Sequence, residues 1–269
     1  MLIRVGFDIQ FNLLSSTQAL FALALHPSRY ASVREPERLQ VSPALAVKSF
    51  TDSFGNLCGT ANFAPGYVRF TNNALVEDSG LPDPVDWNAP ALPLTKLPPE
   101  CLQFLLSSRY CEVDSELNNL AWRLFATAQP GWPTVQAICD YVHRHLRFNY
   151  QLARPTRTAV EAHREGVGVC RDFMHLAITF CRCMNIPARY ATGYLGDIGV
   201  PRAPFPMDFS AWFEVYLGNR WWTFDARHNQ QRIGRVLMAT GRDAADVALT
   251  TLLGQNILTR FNVWTDEVG

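Results

Sequence analysis

The sequence carries no excess of charge of either sign and no long hydrophobic run. Lysine plus arginine number 24, and aspartate plus glutamate also number 24, so the formal net charge at pH 7 is zero. A chain without a positive field has little to hold a polyanion or an anionic lipid surface. No apolar stretch approaches the ~18 residues that a membrane-spanning helix needs. We therefore expect a soluble protein with no nucleic-acid partner and no membrane partner.

The chain also lacks the features of a secretory signal and of a disulfide framework. Its first eleven residues alternate between apolar and polar side chains as a strand does, without a basic segment, an apolar core and a small-residue cleavage site. The seven cysteines are an odd number and are scattered along the chain. Such cysteines suit a reducing compartment better than a disulfide scaffold. We therefore expect a cytoplasmic protein.

Length and composition favour two domains. At 269 residues, of which 48% are apolar, the chain is longer than the ~100 to 200 residues of a usual single core. Alternating apolar residues between Val5 and Phe11, followed by turn signals at 52–56 and 65–66, predict a β-rich domain over residues 1–97. The proline-rich segment 81–99 is either a linker or an extended arm packed on the surface. Residues 98–269 form the second predicted domain.

Two apolar stripes with helical spacing predict two helices between residues 100 and 150. The first stripe is Leu117, Leu120, Ala121, Leu124, Phe125 and Ala128, and the second is Val135, Ile138, Cys139, Val142 and Leu146. The second helix also carries His143 and His145. Residues two apart on a helix point to different faces, so these histidines cannot bind one ion together. We expect neither a metal nor a cofactor.

The strongest chemical signal is Cys170. Gly166 and Gly168 precede it in a predicted turn, and an apolar stripe from Phe173 to Met184 follows it with helical spacing. Cys170 is therefore predicted at or near the start of a helix, where the positive end of the helix dipole favours a thiolate over a thiol. A thiolate is the form of cysteine that attacks a carbonyl carbon. The alternative is a buried apolar cysteine without chemistry.

A predicted hairpin brings two partners to this cysteine. Residues 210–217 (SAWFEVYL) and 220–226 (RWWTFDA) alternate as strands and are joined by Gly218-Asn219. Ser210 begins the first strand and Asp225 ends the second, so the two residues are expected side by side. If the sheet packs on the cysteine helix, these strand ends face the helix start. The fold class is therefore α+β.

The segments GVGVCRDFMHLAITFCRCMNIPARYATGYL (166–195) and DFSAWFEVYLGNRWWTFDARHN (208–229) resemble the bacterial transglutaminase-like superfamily. The resemblance covers roughly residues 100 to 269, and residues 1–97 are similar to the β-rich domain that often precedes this core. It implies an all-β N-terminal domain followed by a papain-like core of helices packed on an antiparallel sheet. It also implies a Cys, His, Asp triad, in which Cys170 is the nucleophile and Asp225 the orienting acid.

The sequence departs from this family at the base. The family usually has histidine immediately before the Ala-Trp pair, where this chain has Ser210. A serine hydroxyl cannot accept a proton near pH 7 and hold it as a cation. Three interpretations stay open: His228 reaches the thiol from a displaced loop rather than being a surface histidine, the helix start alone ionises Cys170, or the chemistry has been lost.

Two other residues near Cys170 receive structural roles. His175 lies about 140° around the helix from Cys170, which points it away from the thiol, so we expect it to satisfy a buried backbone group. Asp172 lies in the first helical turn and is expected to cap it. Tyr150 is a candidate oxyanion donor or a structural tyrosine, and residues 196–208 are the predicted substrate-facing loop.

The resemblance implies a transglutaminase-like thiol enzyme, a cysteine protease, amidase or acyltransferase. It would act on an amide or peptide carbonyl of a protein or peptide substrate through a cysteine thioester, which water hydrolyses or an amine takes over. The alternative is a catalytically impaired binding or assembly module on the same fold. The sequence does not distinguish these two, and it defines neither the substrate nor the oligomeric state.

Overall fold

The structure is a computed structural model that describes residues 1–204 and 206–269. Its first sheet forms around strand β1, in which Ile3, Val5 and Phe7 are buried on one face. The strands of the N-terminal part are β1 (Leu2–Leu13), β2 (Thr17–Phe21), β3 (Val33–Glu35), β4 (Gln40–Ser42), β5 (Lys48–Thr51), β6 (Leu57–Phe63) and β7 (Gly66–Glu77). β7 pairs with β1 along its length and also with β3 and β4, while β6 lies between β2 and β5. The β-rich character predicted for this part is confirmed.

The helices bury most of the predicted apolar stripes, except that Leu124 of the first stripe is exposed and Ala128 lies beyond the end of its helix. They are α1 (Pro99–Leu102), α2 (Glu116–Phe125), α3 (Trp132–His145), α4 (Ala159–Glu165) and α5 (Cys170–Cys183). Leu117 and Phe125 of α2 and Val142 of α3 pack in the same core as α5, whose side chains are buried from Asp172 to Cys183. Four short 3-10 helices lie at Pro27–Ser32, Leu94–Lys96, Gln103–Leu105 and Tyr150–Leu152.

A separate antiparallel sheet supports α5. Its strands are β10 (Ala188–Leu195), β11 (Ser210–Leu217), β12 (Arg220–Phe224) and β13 (Arg235–Gly241), in the order β12, β11, β10, β13. Gly218 and Asn219 form the predicted two-residue hairpin loop, with φ of 55° and 69°. α5 packs on β10 and β11, which gives the predicted helix-on-sheet core and confirms the α+β class.

A short parallel pair leads into α5. Strands β8 (Arg147–Phe148) and β9 (Val167–Gly168) pair in parallel, with Gly168 opposite Phe148. This pairing places the chain just before Cys170 beside the segment that carries Tyr150.

Within the described ranges, no helix is long and apolar enough to cross a bilayer.

The two strands at the end of the chain join the N-terminal sheets. β14 (Thr250–Leu253) pairs with β2, and β15 (Asn256–Val268) pairs with β1, with Val263 opposite Phe7. The division at 97/98 assigned this tail to the second domain, whereas its strands complete the sheets of the first part. Alternation in a sequence predicts a strand but not its partner. The two-domain division itself stays a prediction.

The proline-rich segment 81–99 lies on the protein surface as an extended arm. Its Ala89 carbonyl accepts a hydrogen bond from the Trp132 amide at 3.0 Å, and its Pro90 carbonyl accepts one from the Gly218 amide at 3.0 Å. The arm is therefore fixed against the start of α3 and the hairpin loop. Of the two alternatives for this segment, the packed arm is the one that these contacts bear out.

Candidate active site

Cys170 is the first residue of α5, as the sequence predicts. The Asp172 carboxylate caps the helix by accepting a hydrogen bond from the Val169 amide at 2.9 Å. The buried Arg157 guanidinium donates to the same Asp172 oxygen at 3.1 Å. Gly168 is needed here because a Cβ on it would lie 2.6 Å from the Asp172 Cβ. The turn and the cap together fix where the helix and its cysteine begin.

The surroundings of the Cys170 thiol favour its neutral form. Burial raises its pKa to about 11, although the nearby Arg227 guanidinium and a hydrogen bond from the Arg171 amide act in the opposite direction. The Asp208 carboxylate raises the pKa further. The sequence led us to expect a helix start that favours the thiolate. Instead, the partial burial of the side chain outweighs the favourable charges, so the thiol stays protonated at neutral pH.

Asp225 and His228 form a hydrogen-bonded pair just beyond β12. The His228 Nδ1 lies 2.8 Å from the Asp225 Oδ2, and the other Asp225 oxygen accepts from the amides of Arg227 and His228, each at 3.0 Å. A carboxylate at Nδ1 favours the tautomer with its proton on that nitrogen, which leaves Nε2 free to accept a proton. The His228 imidazole is therefore oriented as a general base requires.

Arg235 keeps the Asp225 carboxyl ionised. Burial acts to raise the pKa of this carboxyl, but the hydrogen bond from His228 and the charge of Arg235 outweigh it and hold the pKa well below the usual range. The Arg235 Nη2 lies 3.0 Å from the Asp225 Oδ2, and its Nε lies 2.9 Å from an Asp83 oxygen of the proline-rich arm. Arg235 and Asp83 belong to no recognisable motif, so the sequence carries no signal that marks either of them.

Two adjoining hollows form a groove at the start of α5. The first, of about 90 Å³, is lined by Tyr150, Asp208, Ser210, Arg227 and His228 among others. The second, of about 280 Å³, is lined by the two residues that flank Cys170, Val169 and Arg171, and again by Tyr150 and Asp208. Because both hollows share Tyr150 and Asp208, they are neighbours. The structure therefore brings Ser210 and His228 into one cavity and puts Cys170 beside the adjoining one.

Ser210 and Tyr150 have distinct positions in this groove. Ser210 begins β11 opposite Gly193, and its carbonyl accepts a hydrogen bond from the Thr192 hydroxyl at 3.0 Å. Burial raises the pKa of the half-exposed Tyr150 to about 12, so its hydroxyl keeps its proton. Tyr150 can therefore donate a hydrogen bond into the groove. Residues 196–208 line part of the first hollow, while Phe205 of this loop lies outside the described residues.

His175 is separate from this groove. It is fully buried, stacks on Tyr110 with ring centroids 4.9 Å apart, and accepts a hydrogen bond at Nε2 from the Ala244 amide at 3.1 Å. The predicted role of satisfying a buried backbone group is confirmed. In the described part of the chain, no group of three or more His, Cys, Asp or Glu side chains has the arrangement of a metal site.

The sequence and the fold of this chain are similar to those of known proteins. Residues 118–226 match the family model described as the transglutaminase-like superfamily. The crystal structure of a "Putative Cysteine Protease" from Cytophaga hutchinsonii is similar with a TM-score of 0.83 and 29% identity, over 99% of this chain and 90% of that one. The uncharacterized protein Rv2569c of Mycobacterium tuberculosis is 27% identical over 232 residues, which are 78% of this chain and 73% of the relative.

A second mycobacterial relative matches a shorter segment. The uncharacterized protein ML0607 of Mycobacterium leprae is 35% identical over 85 residues, which are 30% of each chain. The match therefore spans less than a third of that relative's length. It adds sequence similarity over one segment and carries no information about an activity.

Proposed function

From the membership of this chain in the transglutaminase-like superfamily, we propose that the protein is a thiol enzyme that attacks an amide or peptide carbonyl through Cys170. His228, held by Asp225, serves as its base in place of a histidine at position 210. The observation that carries the proposal is the 2.8 Å hydrogen bond between His228 and Asp225, beside a cavity that His228 shares with Ser210. The substrate that we propose is a peptide or a protein.

The raised pKa of Cys170 favours this route over ionisation by the helix start alone. With a pKa of about 11, only on the order of one thiol in ten thousand is ionised at pH 7. A nucleophile that is protonated at rest needs a base to take its proton as it attacks. Within this groove, the His228 imidazole can accept that proton at Nε2, whereas the Ser210 hydroxyl cannot.

The proposed reaction has two halves. The His228 Nε2 takes the thiol proton while the Cys170 sulfur bonds to the carbonyl carbon, and backbone amides at the start of α5 and the Tyr150 hydroxyl stabilise the oxyanion. The imidazolium then gives its proton to the leaving nitrogen, the C–N bond breaks, and a thioester remains. In the second half, His228 deprotonates water or an amine. Attack on the thioester releases the acid or the new amide and restores the thiol.

The test is acylation of the thiol by p-nitrophenyl acetate, with the acetyl group located by peptide mass spectrometry. We expect acylation at Cys170, because the other six cysteines are buried. Cys170→Ser should abolish this adduct. His228→Asn and Asp225→Asn should slow its formation by about 100-fold or more, the usual contribution of a general base. His163→Gln, a histidine of α4 outside the groove, is the matched control and should react as the wild type does.

The alternative function, a binding module without chemistry, is favoured by Ser210 and by the neutral Cys170 thiol. It requires that acylation be slow at all pH values below about 9 and insensitive to His228→Asn. Release of ammonia from casein, measured with the same variants, extends the test from an ester to amides. Incorporation of a fluorescent amine separates acyl transfer from hydrolysis.

A further inference from the structure

Two side chains of helix α3 and one side chain of the loop that carries His228 are all hydrogen-bonded to one another. The Asn229 Nδ2 donates to the Asp140 Oδ1 at 2.8 Å, and the Asn229 Oδ1 accepts from the Gln136 Nε2 at 2.9 Å. The Gln136 Nε2 also donates to the Asp140 Oδ1 at 2.9 Å. Gln136 and Asp140 are four residues apart and therefore lie on one face of α3. This face is directed at the residue that follows His228.

A second contact from the same helix reaches the residue that precedes His228. The His143 Nδ1 donates to the Arg227 carbonyl at 2.9 Å. Gln136, Asp140 and His143 together are here called the α3 clamp. The clamp fixes the chain on both sides of His228, at Arg227 and at Asn229.

The loop needs such an anchor because no strand supports it. A base at position 210 would be held by the pairing of β11 with β10, in which Ser210 lies opposite Gly193. Residues 225–229 follow the end of β12, and Asn229 has a left-handed backbone with φ of 50°. Behind the loop lies a hollow of about 100 Å³ that is lined by Gln136, Asp225 and Asn229 among others. Packing therefore does not fill the space on that side, and hydrogen bonds hold the loop in place.

We infer that the α3 clamp, with Asp140 at its centre, positions His228 and replaces the strand support that a base at position 210 would have. This inference rests on the proposed function of His228. Asp140 does not line the groove at the start of α5, so it acts through Asn229 rather than on the substrate. It is a positioning residue, and its removal lets the imidazole leave the orientation in which Nε2 faces the groove.

The experiment compares two substitutions of Asp140 in the acylation of Cys170 by p-nitrophenyl acetate. Asp140→Ala removes the oxygen that accepts both hydrogen bonds, and we expect the rate to fall about tenfold or more, because small misplacements of a catalytic group are costly. Asp140→Asn keeps an oxygen at that position and should retain most of the rate. The pH profile of Asp140→Ala should approach that of His228→Asn, because both variants lose the positioned base. Glu116→Ala, an exposed carboxylate of α2, is the control.

The outcomes separate this inference from the proposed function. The clamp would be overturned if Asp140→Ala kept the wild-type rate and pH profile, or if Asp140→Ala and Asp140→Asn lost equal activity. In either case, a loss of rate in His228→Asn would still support His228 as the base. An unchanged rate in His228→Asn would overturn both. If Asp140→Ala does not fold, Gln136→Met removes the shared donor and keeps the side-chain volume. A wild-type rate and pH profile in Gln136→Met would then overturn the clamp. A fall in the rate, smaller than the one expected for Asp140→Ala, would support it.

Discussion

Arg227 and Asp208 are the two charged side chains with the largest effect on the pKa of the Cys170 thiol, and the Arg171 guanidinium adds a smaller effect that lowers it. The Arg227 guanidinium lowers its pKa and the Asp208 carboxylate raises it. Arg227 stacks over the Phe148 ring at 4.1 Å. Burial raises the pKa of Asp208 as well, and it outweighs the hydrogen bond from the Phe209 amide and the charge of Arg227, which both lower it. The reactivity of the nucleophile is therefore adjustable at two neighbouring positions.

Neutralising these two charges should change thiol reactivity in opposite directions. In Asp208→Asn the pKa of Cys170 falls, more thiolate is present at pH 8, and alkylation of Cys170 by iodoacetamide should become faster. Arg227→Gln should make it slower. Each change is expected to be on the order of threefold, the effect typical of one nearby charge that is partly exposed to solvent. A change in the same direction in both variants would contradict the opposing roles of the two charges.

Helix α3 connects the proline-rich arm to the candidate active site. Its N-cap is Gly131, with φ of 110°, and a Cβ at this position would lie 2.3 Å from the Ala89 carbonyl oxygen of the arm. The Trp132 indole that follows packs on Phe224 with ring centroids 4.4 Å apart, one residue before Asp225. The start of the helix therefore fixes both its contact with the arm and the register of the clamp.

Gly131→Ala should destabilise the protein through this contact. Backbone strain and the clash with the Ala89 carbonyl together should lower the free energy of unfolding by about 1 to 3 kcal/mol. Gly66→Ala is the matched control, since Gly66 has φ of 130° but no atom lies within 4 Å of the position that its new methyl group would take. Urea unfolding of both variants measures the difference. Equal losses would mean that strain alone, rather than the packed arm, explains the requirement for glycine.

Several ionisable side chains across the molecule have different pKa values in the folded and the unfolded protein. Burial lowers the pKa of His175 and of His163, so the unfolded chain takes up protons that these folded histidines do not. Burial raises the pKa of Cys183 to about 11 and of Cys111 to about 12, so the unfolded thiols ionise first as the pH rises. The hydrogen bond from Arg69 lowers the pKa of the Asp8 carboxyl.

These shifts predict a stability maximum between about pH 6.5 and pH 8.5. Below pH 6.5 the histidines lower the free energy of unfolding, and below pH ~4 the loss of paired carboxylates such as Asp8 adds to this effect. Above pH 8.5 the buried thiols act against the folded state. At pH 10 we expect the Tm to lie more than about 5 °C below its highest value, by the usual relation between Tm and the free energy of unfolding. Calorimetry at constant ionic strength checks this, and a Tm that still rises above pH 9 would contradict it.

The sequence predicted the local parts of this architecture and missed the contacts between distant segments. Apolar spacing and glycine turns are local signals, so the Cys170 helix and the hairpin at Gly218-Asn219 were predictable. The pairing of β15 with β1 joins the two ends of the chain, and Asp83 and Arg235 are separated by 152 positions. Periodicity carries no information about such pairs. Ser210 was recognisable as a departure from the family pattern, but the hydrogen bond from His228 to Asp225 required coordinates.

The pH dependence of Cys170 acylation in the wild type and in His228→Asn tests the central claim most directly. If His228 removes the thiol proton, the wild-type rate should reach a plateau well below the pH at which the thiol ionises by itself, and it should rise again only as the pH approaches 11. The His228→Asn variant should keep only the alkaline rise. Superimposable profiles of the two proteins would show that this imidazole takes no part in activating the thiol.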